Sequence, residues 1–217
     1  MTRRLLLAAF VAALPACRAA KPPAMSAPPP VARPLAPFTG QRVAVLPAQR
    51  LRPADSAAWG AQVPAPRAYL GVVDSALAAA LGERGLSAAW ALPVDVIRSA
   101  KRNVTYAADP YALAVNPLLP SRRPAATPDI PDPLATQLRT LVALNDARYA
   151  LVPVELRFER QGGPTGAGRA VLRVAMLDAR SARIAWAGDV ASDTASALTP
   201  ALAASAAMHF ADLVVEP

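Results

Sequence analysis

Cysteine and histidine, the side chains behind much nucleophilic and metal chemistry, are almost absent from this sequence: its 217 residues contain one of each. A single cysteine excludes an intramolecular disulfide. Cys17 and His209 together cannot supply the four ligands of a structural zinc site. The serine-hydrolase signatures Gly-x-Ser-x-Gly and Ser-x-x-Lys are also missing. The sequence therefore predicts a protein that is not an enzyme and that needs no metal or cofactor.

Glutamate is scarce as well, with four residues in the chain. Glu155 and Glu159 fall on the polar side of one predicted strand and alternate with Arg157, which is typical of a solvent-facing strand with cross-paired charges. An acid/base pair is the rarer interpretation of two such carboxylates. His209 lies four residues before Leu213 on a predicted helix, so we expect a packed, structural histidine.

Glycine contributes only 10 residues, several of them in the segment from Gly162 to Gly168. This segment joins two predicted strands, contains no lysine and precedes no helix whose N-terminus could hold a phosphate. The pattern therefore favours a flexible hairpin loop over a phosphate-binding loop.

Aromatic side chains make up 5% of the residues, among them three tryptophans. Trp90 and Trp186 lie in apolar strand patterns and are predicted core residues. Trp59 lies beside Gly60 in an irregular stretch, residues 48–66, and is the aromatic residue we expect to be partly exposed. Either it contributes to a partner-binding surface, or it folds back on the core as loop tryptophans often do.

The net charge of +8 is concentrated at the start of the chain. Five of the 23 basic residues precede residue 39 and all 15 acidic residues follow it, which leaves 18 against 15, or +3, for the remainder. This balance argues against nucleic-acid binding. The densest basic pair, Arg122-Arg123, lies in a proline-rich loop without aromatic neighbours. A solvated loop is its simplest interpretation, and a partner contact is the functional one.

The N-terminus carries the clearest signal in the sequence. Arg3 and Arg4 precede an apolar run from Leu5 to Leu14 that is too short to span a bilayer. The motif that follows, Leu14-Pro15-Ala16-Cys17, resembles a bacterial lipoprotein signal. This resemblance implies cleavage after Ala16 and a lipid anchor on Cys17. Arg18 in place of an aspartate implies the periplasmic face of the outer membrane. The alternative is an ordinary secretory signal cleaved after Ala19.

Domain boundaries follow from composition. Residues 1–16 are the predicted signal peptide, and residues 17–38, rich in alanine and proline, are a predicted extended tether. Residues 39–217 suit a single domain with its own core.

Hydrophobic periodicity in residues 39–217 predicts an α/β sandwich of two or three layers with a mixed sheet of about five strands. The last three strands form an antiparallel meander before a C-terminal helix. The predicted strands are 42–46, 88–92, 149–159, 170–176 and 184–190, and the predicted helices are 70–81, 93–100, 134–144 and 199–214. Residues 103–132 contain six prolines and predict a long loop.

Four segments together resemble a known superfamily: the strand Arg42-Val43-Ala44-Val45-Leu46-Pro47, the helix end Leu81-Gly82-Glu83-Arg84-Gly85, the strand entry 145–152 and the hairpin 176–186. They are similar to the N-terminal domain of the translocation protein TolB, the curli-secretion (CsgG-like) lipoproteins and the penicillin-binding-protein activator lipoproteins. The resemblance covers residues 42–215. No long amphipathic hairpin with aromatic girdles is visible, which argues against a secretion channel.

These observations predict a non-enzymatic lipoprotein that binds or assembles another component of the cell envelope. Its expected partners are the membrane, through Cys17, and an envelope protein. The irregular stretches 48–66 and 103–132 are the expected contact surfaces because recognition commonly resides in loops on a rigid scaffold. Two alternatives stay open: an envelope hydrolase or transferase with a carboxylate and arginine site, and a subunit of an oligomeric transport assembly.

Overall fold

The computed structural model describes residues 32–120, 129–163 and 166–216. Ala16, Cys17, Arg122 and Arg123 lie outside the described residues, as does the predicted tether up to residue 31. None of the helices in the described ranges is both long and apolar enough to cross a membrane.

One mixed sheet organises the described part of the chain. Its strands run in the order β3-β1-β4-β5-β6, with the short β2 paired to β4. β1 is parallel to both of its neighbours, β3 and β4, whereas β4, β5 and β6 form an antiparallel meander. The strands are β1 (Val43–Val45), β2 (Arg50–Leu51), β3 (Trp90–Ala91), β4 (Tyr149–Arg160), β5 (Gly168–Asp178) and β6 (Arg183–Ala195).

Four α-helices flank this sheet: α1 (Pro66–Glu83), α2 (Pro93–Arg102), α3 (Leu134–Ala143) and α4 (Ala201–Asp212). α1 and α2 both begin at a proline, whose missing N–H would have no partner in the first turn of a helix. Gly85, at a φ of 73°, provides the left-handed residue that follows α1. Within the described loop residues, the one helical turn between α2 and α3 is a 3₁₀ turn at Asn116–Leu118.

Two apolar clusters lie on opposite faces of the sheet. The first packs α1 and α4 against the sheet around Leu77, Trp90 and Phe210. The second packs α2, α3 and the loop residues Leu113, Leu118 and Ile130 against the other face. The predicted α/β sandwich with a mixed sheet is confirmed, with three layers and six strands in the described residues. Leu113, Leu118 and Ile130 of the predicted loop 103–132 are buried in the second cluster, so the described part of this loop contributes to the core.

A register shift in β4 changes which face its side chains occupy. The pairing with β5 is irregular between Pro153 and Glu155. Ala150 and Val154 belong to the α2/α3 cluster, whereas Leu156 and Phe158 belong to the α1/α4 cluster. Strict alternation would place Ala150, Val152, Val154, Leu156 and Phe158 on a single face, and this interpretation of the sequence is wrong. An extra residue in one strand reverses the alternation beyond it, and such a bulge is not visible in hydrophobic periodicity.

Candidate functional site

Charged side chains occupy the end of the meander that α2 and α3 leave uncovered. They come from four neighbouring strands, and we call this surface the charged face. Its members are Arg50 and Arg52 at β2, Glu155, Arg157 and Glu159 on β4, Arg169 and Arg173 on β5, and Asp189 on β6.

Strand register brings opposite charges together on this face. Glu155 pairs in register with Arg50 of β2 on one side and with Arg173 of β5 on the other, and Arg173 in turn is opposite Asp189. Charges of opposite sign therefore alternate across four strands, an arrangement that stabilises cross-strand neighbours.

Glu155 is the buried member of the charged face, with 1% of its surface exposed. Its Oε1 accepts a hydrogen bond from Arg52 Nη2 at 2.5 Å, and its Oε2 lies 3.1 Å from Arg50 Nε. The prediction of a solvent-facing Glu155 is wrong, because the bulge puts Glu155 on the same face as Val154, where β2 and its arginines cover it. Compensation by two guanidinium groups is what makes such burial tolerable.

Arg157 links the other carboxylates of the face. Its Nη2 lies 2.9 Å from both Glu159 Oε1 and Asp189 Oδ2. Arg169 completes the pairing of Glu159 at 2.9 Å, and Arg173 that of Asp189 at 3.2 Å. The predicted cross-pairing of Arg157 with neighbouring carboxylates is therefore confirmed.

These contacts fix the ionisation of the two outer carboxylates. Burial tends to raise the pKa of Glu159, but hydrogen bonds from Arg169 and Arg157 outweigh it and hold that pKa below its ordinary value. The pKa of Asp189 is likewise lowered, since hydrogen bonds and charge from Arg157 and Arg173 overcome the effect of burial. Both groups are charged at neutral pH, so they act as fixed anions and not as proton donors.

The charged face carries an excess of positive charge, with five arginines against three carboxylates. Two of its N–H groups, Arg157 Nη1 and Arg169 Nε, are buried without an acceptor among the described residues. A cavity of about 460 Å³ opens beside Arg157. It is lined by Arg52, Ala54, Asp55, Ser56, Arg157, Phe158 and Glu159. Guanidinium groups in this setting can bind carboxylates of a partner.

Trp59 lies under this region and not on its surface. It is 5% exposed and packs edge-on against Phe158, with ring centroids 5.9 Å apart. Asp55 holds the loop by accepting hydrogen bonds from the backbone N–H groups of Trp59 and Gly60. The expected exposure of Trp59 is therefore wrong, and its alternative, folding back on the core, is what the structure shows. Arg122 and Arg123, the other two candidate contact residues, lie outside the described residues.

A second polar group lies just beyond the carboxyl end of β1, whose parallel neighbours in the sheet are β3 on one side and β4 on the other. Asp74 of α1 accepts a hydrogen bond from Ala48 N at 2.6 Å and lies 3.8 Å from Arg67. The Arg67 guanidinium in turn stacks over the Tyr111 ring at 3.7 Å. Burial raises the pKa of Asp74 to about 6, against the opposing effects of the Ala48 hydrogen bond and the Arg67 charge.

An apolar groove runs between α2 and the chain that follows it. Its volume is about 270 Å³, and it is lined by Ile97, Ala100, Lys101, Val104 and 107–111. Val104 is 75% exposed and Tyr106 is 64% exposed beside it. Val104 and residues 107–111 of its lining belong to the stretch 103–132 that the sequence indicates as a contact surface, whereas the rest of the lining belongs to α2. Periodicity alone could not identify it, because no regular element follows α2.

His209 connects α4 to the sheet. Its Nδ1 lies 2.7 Å from Ala191 O, a distance that requires the ring to donate at this nitrogen. The side chain is 43% exposed, so His209 is only partly packed, and its contact with Ala191 O joins α4 to β6. Within the described ranges, no group of three or more histidine, cysteine, aspartate or glutamate side chains is arranged to hold a metal ion.

These features define a three-layer α/β domain with an arginine-rich sheet face. Comparison with known proteins adds little to this class: no family model matches the sequence, and no curated protein matches it. Among solved structures, the chain is similar to PelC dodecamers from Paraburkholderia phytofirmans at 13% identity. One covers 87% of this chain and 94% of its own, with a TM-score of 0.38; the other, a point variant, covers 82% and 91%, with a TM-score of 0.35. Similarity at this level carries no functional argument.

Proposed function

We propose that this chain is a lipoprotein anchored at the periplasmic face of the outer membrane, where it binds or assembles another envelope component without catalysing a reaction. The observation that carries the proposal is the position of the sole cysteine, Cys17, directly after a short apolar run and Ala16. Lipidation would use the one thiol of the chain, and a lipidated cysteine needs no disulfide partner.

The charged face is the surface proposed for the envelope partner. It includes Arg50 and Arg52 from the stretch 48–66, and its excess of arginine over carboxylate favours an acidic partner surface. Because its members are held by one another across four strands, the face is organised before a partner arrives, which lowers the entropic cost of binding.

The anchor is tested first by comparing the wild type with Cys17→Ala in a Gram-negative host. We expect the wild type to fractionate with outer membranes and to carry acyl chains at an N-terminal Cys17 by mass spectrometry. The variant should lose both properties. An N-terminus at Ala20 with no acylation would replace the lipoprotein proposal by ordinary secretion.

The partner surface is tested by placing a photo-crosslinking amino acid at Ala54, an exposed residue that lines the cavity beside the charged face. The matched control is Ala79, an exposed alanine of α1. We expect an envelope protein to crosslink at Ala54 and not at Ala79, and the yield to fall with rising salt because the contact is ionic. Equal crosslinking at both positions would contradict this surface. The mass of the purified protein in mild detergent then separates a monomer from a subunit of an oligomeric assembly.

The environment of Asp74 favours a second candidate, an envelope hydrolase or transferase. A carboxyl group whose pKa is raised to about 6 can exchange protons near neutral pH, and Arg67, which stacks on Tyr111, lies 3.8 Å from it. Incubation of the wild type and Asp74→Asn with purified cell-wall and lipid fractions tests it. A product that only the wild type forms would support the enzyme, whereas identical product profiles would dismiss it.

A further inference from the structure

The solvent-facing side of α2 and the residues that follow it form a second surface, distinct from the charged face. We call it the α2 patch: Val94, Arg98, Lys101, Arg102, Val104 and Tyr106, all of them exposed. Positions 94, 98, 101 and 102 follow one another at helical spacing, so they share one side of the helix. The patch therefore combines three cationic side chains with large exposed apolar and aromatic ones.

Most of the large exposed hydrophobic residues of the described chain lie in this region. Val94 is 56% exposed, Val104 75% and Tyr106 64%. Tyr111, at the far end of the adjoining groove, is also exposed. Apolar side chains concentrated in this way on a protein surface mark a contact with a partner or a membrane.

Two positive charges of the α2 patch are left without an ion pair in the part of the chain that the structure describes. Arg98 forms an ion pair with Asp95 at 2.9 Å, but Lys101 and Arg102 have no ion-pair partner among the described residues. Asp109 also lines the groove, but its Oδ1 accepts a hydrogen bond from Tyr111 N and it forms no ion pair with Lys101 among the described residues. The surface beside Val104 is therefore complementary to negative charge.

We infer that the α2 patch docks on the anionic surface of a phospholipid bilayer, with Val104 and Tyr106 at the level of the headgroups. Tyrosine is enriched at membrane interfaces because its ring is apolar and its hydroxyl is polar. Lysine is depleted at protein–protein interfaces, whereas a lysine near an anionic lipid surface stabilises binding by about 1 kcal/mol. Lys101 is the one lysine after residue 21, and it lies in this patch.

This docking rests on the proposed lipid anchor. Two cations and two or three apolar side chains give only weak membrane affinity by themselves. An anchor in the same bilayer converts docking into an intramolecular step with a high effective concentration. The expected result is a domain that lies with α2 against the membrane.

The test uses the full lipidated protein with an environment-sensitive fluorophore at Val104→Cys, and Val72→Cys of α1 as the matched exposed-valine control. Both are reconstituted in phosphatidylcholine vesicles with and without phosphatidylglycerol. We expect a blue shift at 104 only with phosphatidylglycerol, and no shift at 72. Lys101→Gln and Arg102→Gln should each reduce the ratio of docked to undocked label about fivefold.

Equal fluorescence spectra for the labels at 104 and 72 would overturn the inference. So would a blue shift at 104 of the same size with and without phosphatidylglycerol. So would a shift that requires added envelope proteins, since the patch would then bind a protein. Mass spectrometry of the N-terminus keeps the anchor separate: an unacylated Cys17, or an N-terminus at Ala20, would refute the anchor proposal independently of the docking result. Far-UV circular dichroism confirms that each variant is folded.

Discussion

The carboxylates of the charged face differ in their solvent exposure, and this difference determines how much each one contributes to the stability of the fold. Glu155 is 1% exposed, whereas the side chain of Glu159 is 31% exposed. Both contact two arginines, so their chemistry is the same and their surroundings are not. Ion pairs at the surface contribute little because water competes, whereas breaking a buried pair leaves charges without compensation.

We expect Glu155→Gln to lower the free energy of unfolding by about 2 kcal/mol, because it leaves the half-buried Arg50 and Arg52 facing each other without a counter-charge. The control Glu159→Gln should cost less than about 1 kcal/mol. Urea titrations of the two variants and the wild type measure the difference. Equal costs would mean that burial of Glu155 does not matter.

The raised pKa of Asp74 predicts that the stability of the protein depends on pH. Burial in the folded chain raises its pKa from an ordinary value of 3.8 to about 6. The folded state therefore binds the proton more tightly, so its stabilising effect is complete below about pH 4 and is lost as the pH rises through about 6. A shift of about two units corresponds to roughly 3 kcal/mol.

The free energy of unfolding of the wild type should accordingly decrease by about 2 to 3 kcal/mol relative to Asp74→Asn between about pH 4 and pH 7. Asparagine keeps an acceptor for the Ala48 N–H but does not titrate. The control Asp129→Asn, at an exposed ion pair, should follow the wild type. Parallel curves for the wild type and Asp74→Asn would show that Asp74 has an ordinary pKa.

Packing between elements that are distant in the chain decides the shape of the meander. Gly168 begins β5 directly against the indole of Trp59, and a Cβ at this position would overlap the six-membered ring. Trp59 in turn packs on Phe158 of β4. The loop 48–66 is therefore held to the hairpin by close contact, and the absence of a side chain at residue 168 permits it.

We expect Gly168→Ala to destabilise the protein by about 1 to 3 kcal/mol, since a buried tryptophan has to move. Gly71→Ala is the matched control: it lies inside α1 with open space around it, so the same change should stabilise by up to about 1 kcal/mol. Thermal unfolding of both variants gives opposite shifts of Tm. A stabilised Gly168→Ala would show that Trp59 does not pack there.

At the scale of the whole molecule, the sheet joins two apolar clusters that have no residue in common. Trp59 and Trp90 belong to the α1/α4 cluster, and Trp186 packs against it. Tryptophan fluorescence therefore reports one side of the sheet, whereas far-UV circular dichroism reports all elements. Whether the two sides of the sheet unfold together depends on the strands, because the same strands contribute residues to both clusters.

Leu138→Ala, a buried change in the α2/α3 cluster, should cost about 2 to 5 kcal/mol and should shift the fluorescence and circular dichroism transitions together. Leu77→Ala in the α1/α4 cluster should do the same. A fluorescence midpoint that Leu138→Ala leaves unchanged, beside a lowered circular dichroism midpoint, would mean that the layers unfold separately.

The candidate surfaces could be anticipated from the sequence only in part. Alternating charge in β4 predicts the pairing of Arg157, but the burial of Glu155 depends on Arg50 and Arg52, which are about a hundred residues away in the chain. The raised pKa of Asp74 likewise depends on its burial beside Ala48 and Arg67. The α2 patch becomes visible once it is known which side of α2 the core covers.

Local sequence alone determined the hydrophobic periodicity of each helix and strand. This periodicity predicts the α/β sandwich and the antiparallel meander, and Pro93 predicts the start of α2. The proposal of an anchor at Cys17 also rests on local sequence, since the residues of its motif, 14–17, are consecutive in the chain. Only the tertiary structure decided which face of each helix or strand is buried. The bulge between Pro153 and Glu155 reverses the faces of β4, and the covering of Trp59 by Phe158 and Gly168 removes it from the surface. The physical reason is that periodicity follows from neighbouring residues, whereas burial follows from contacts between distant ones.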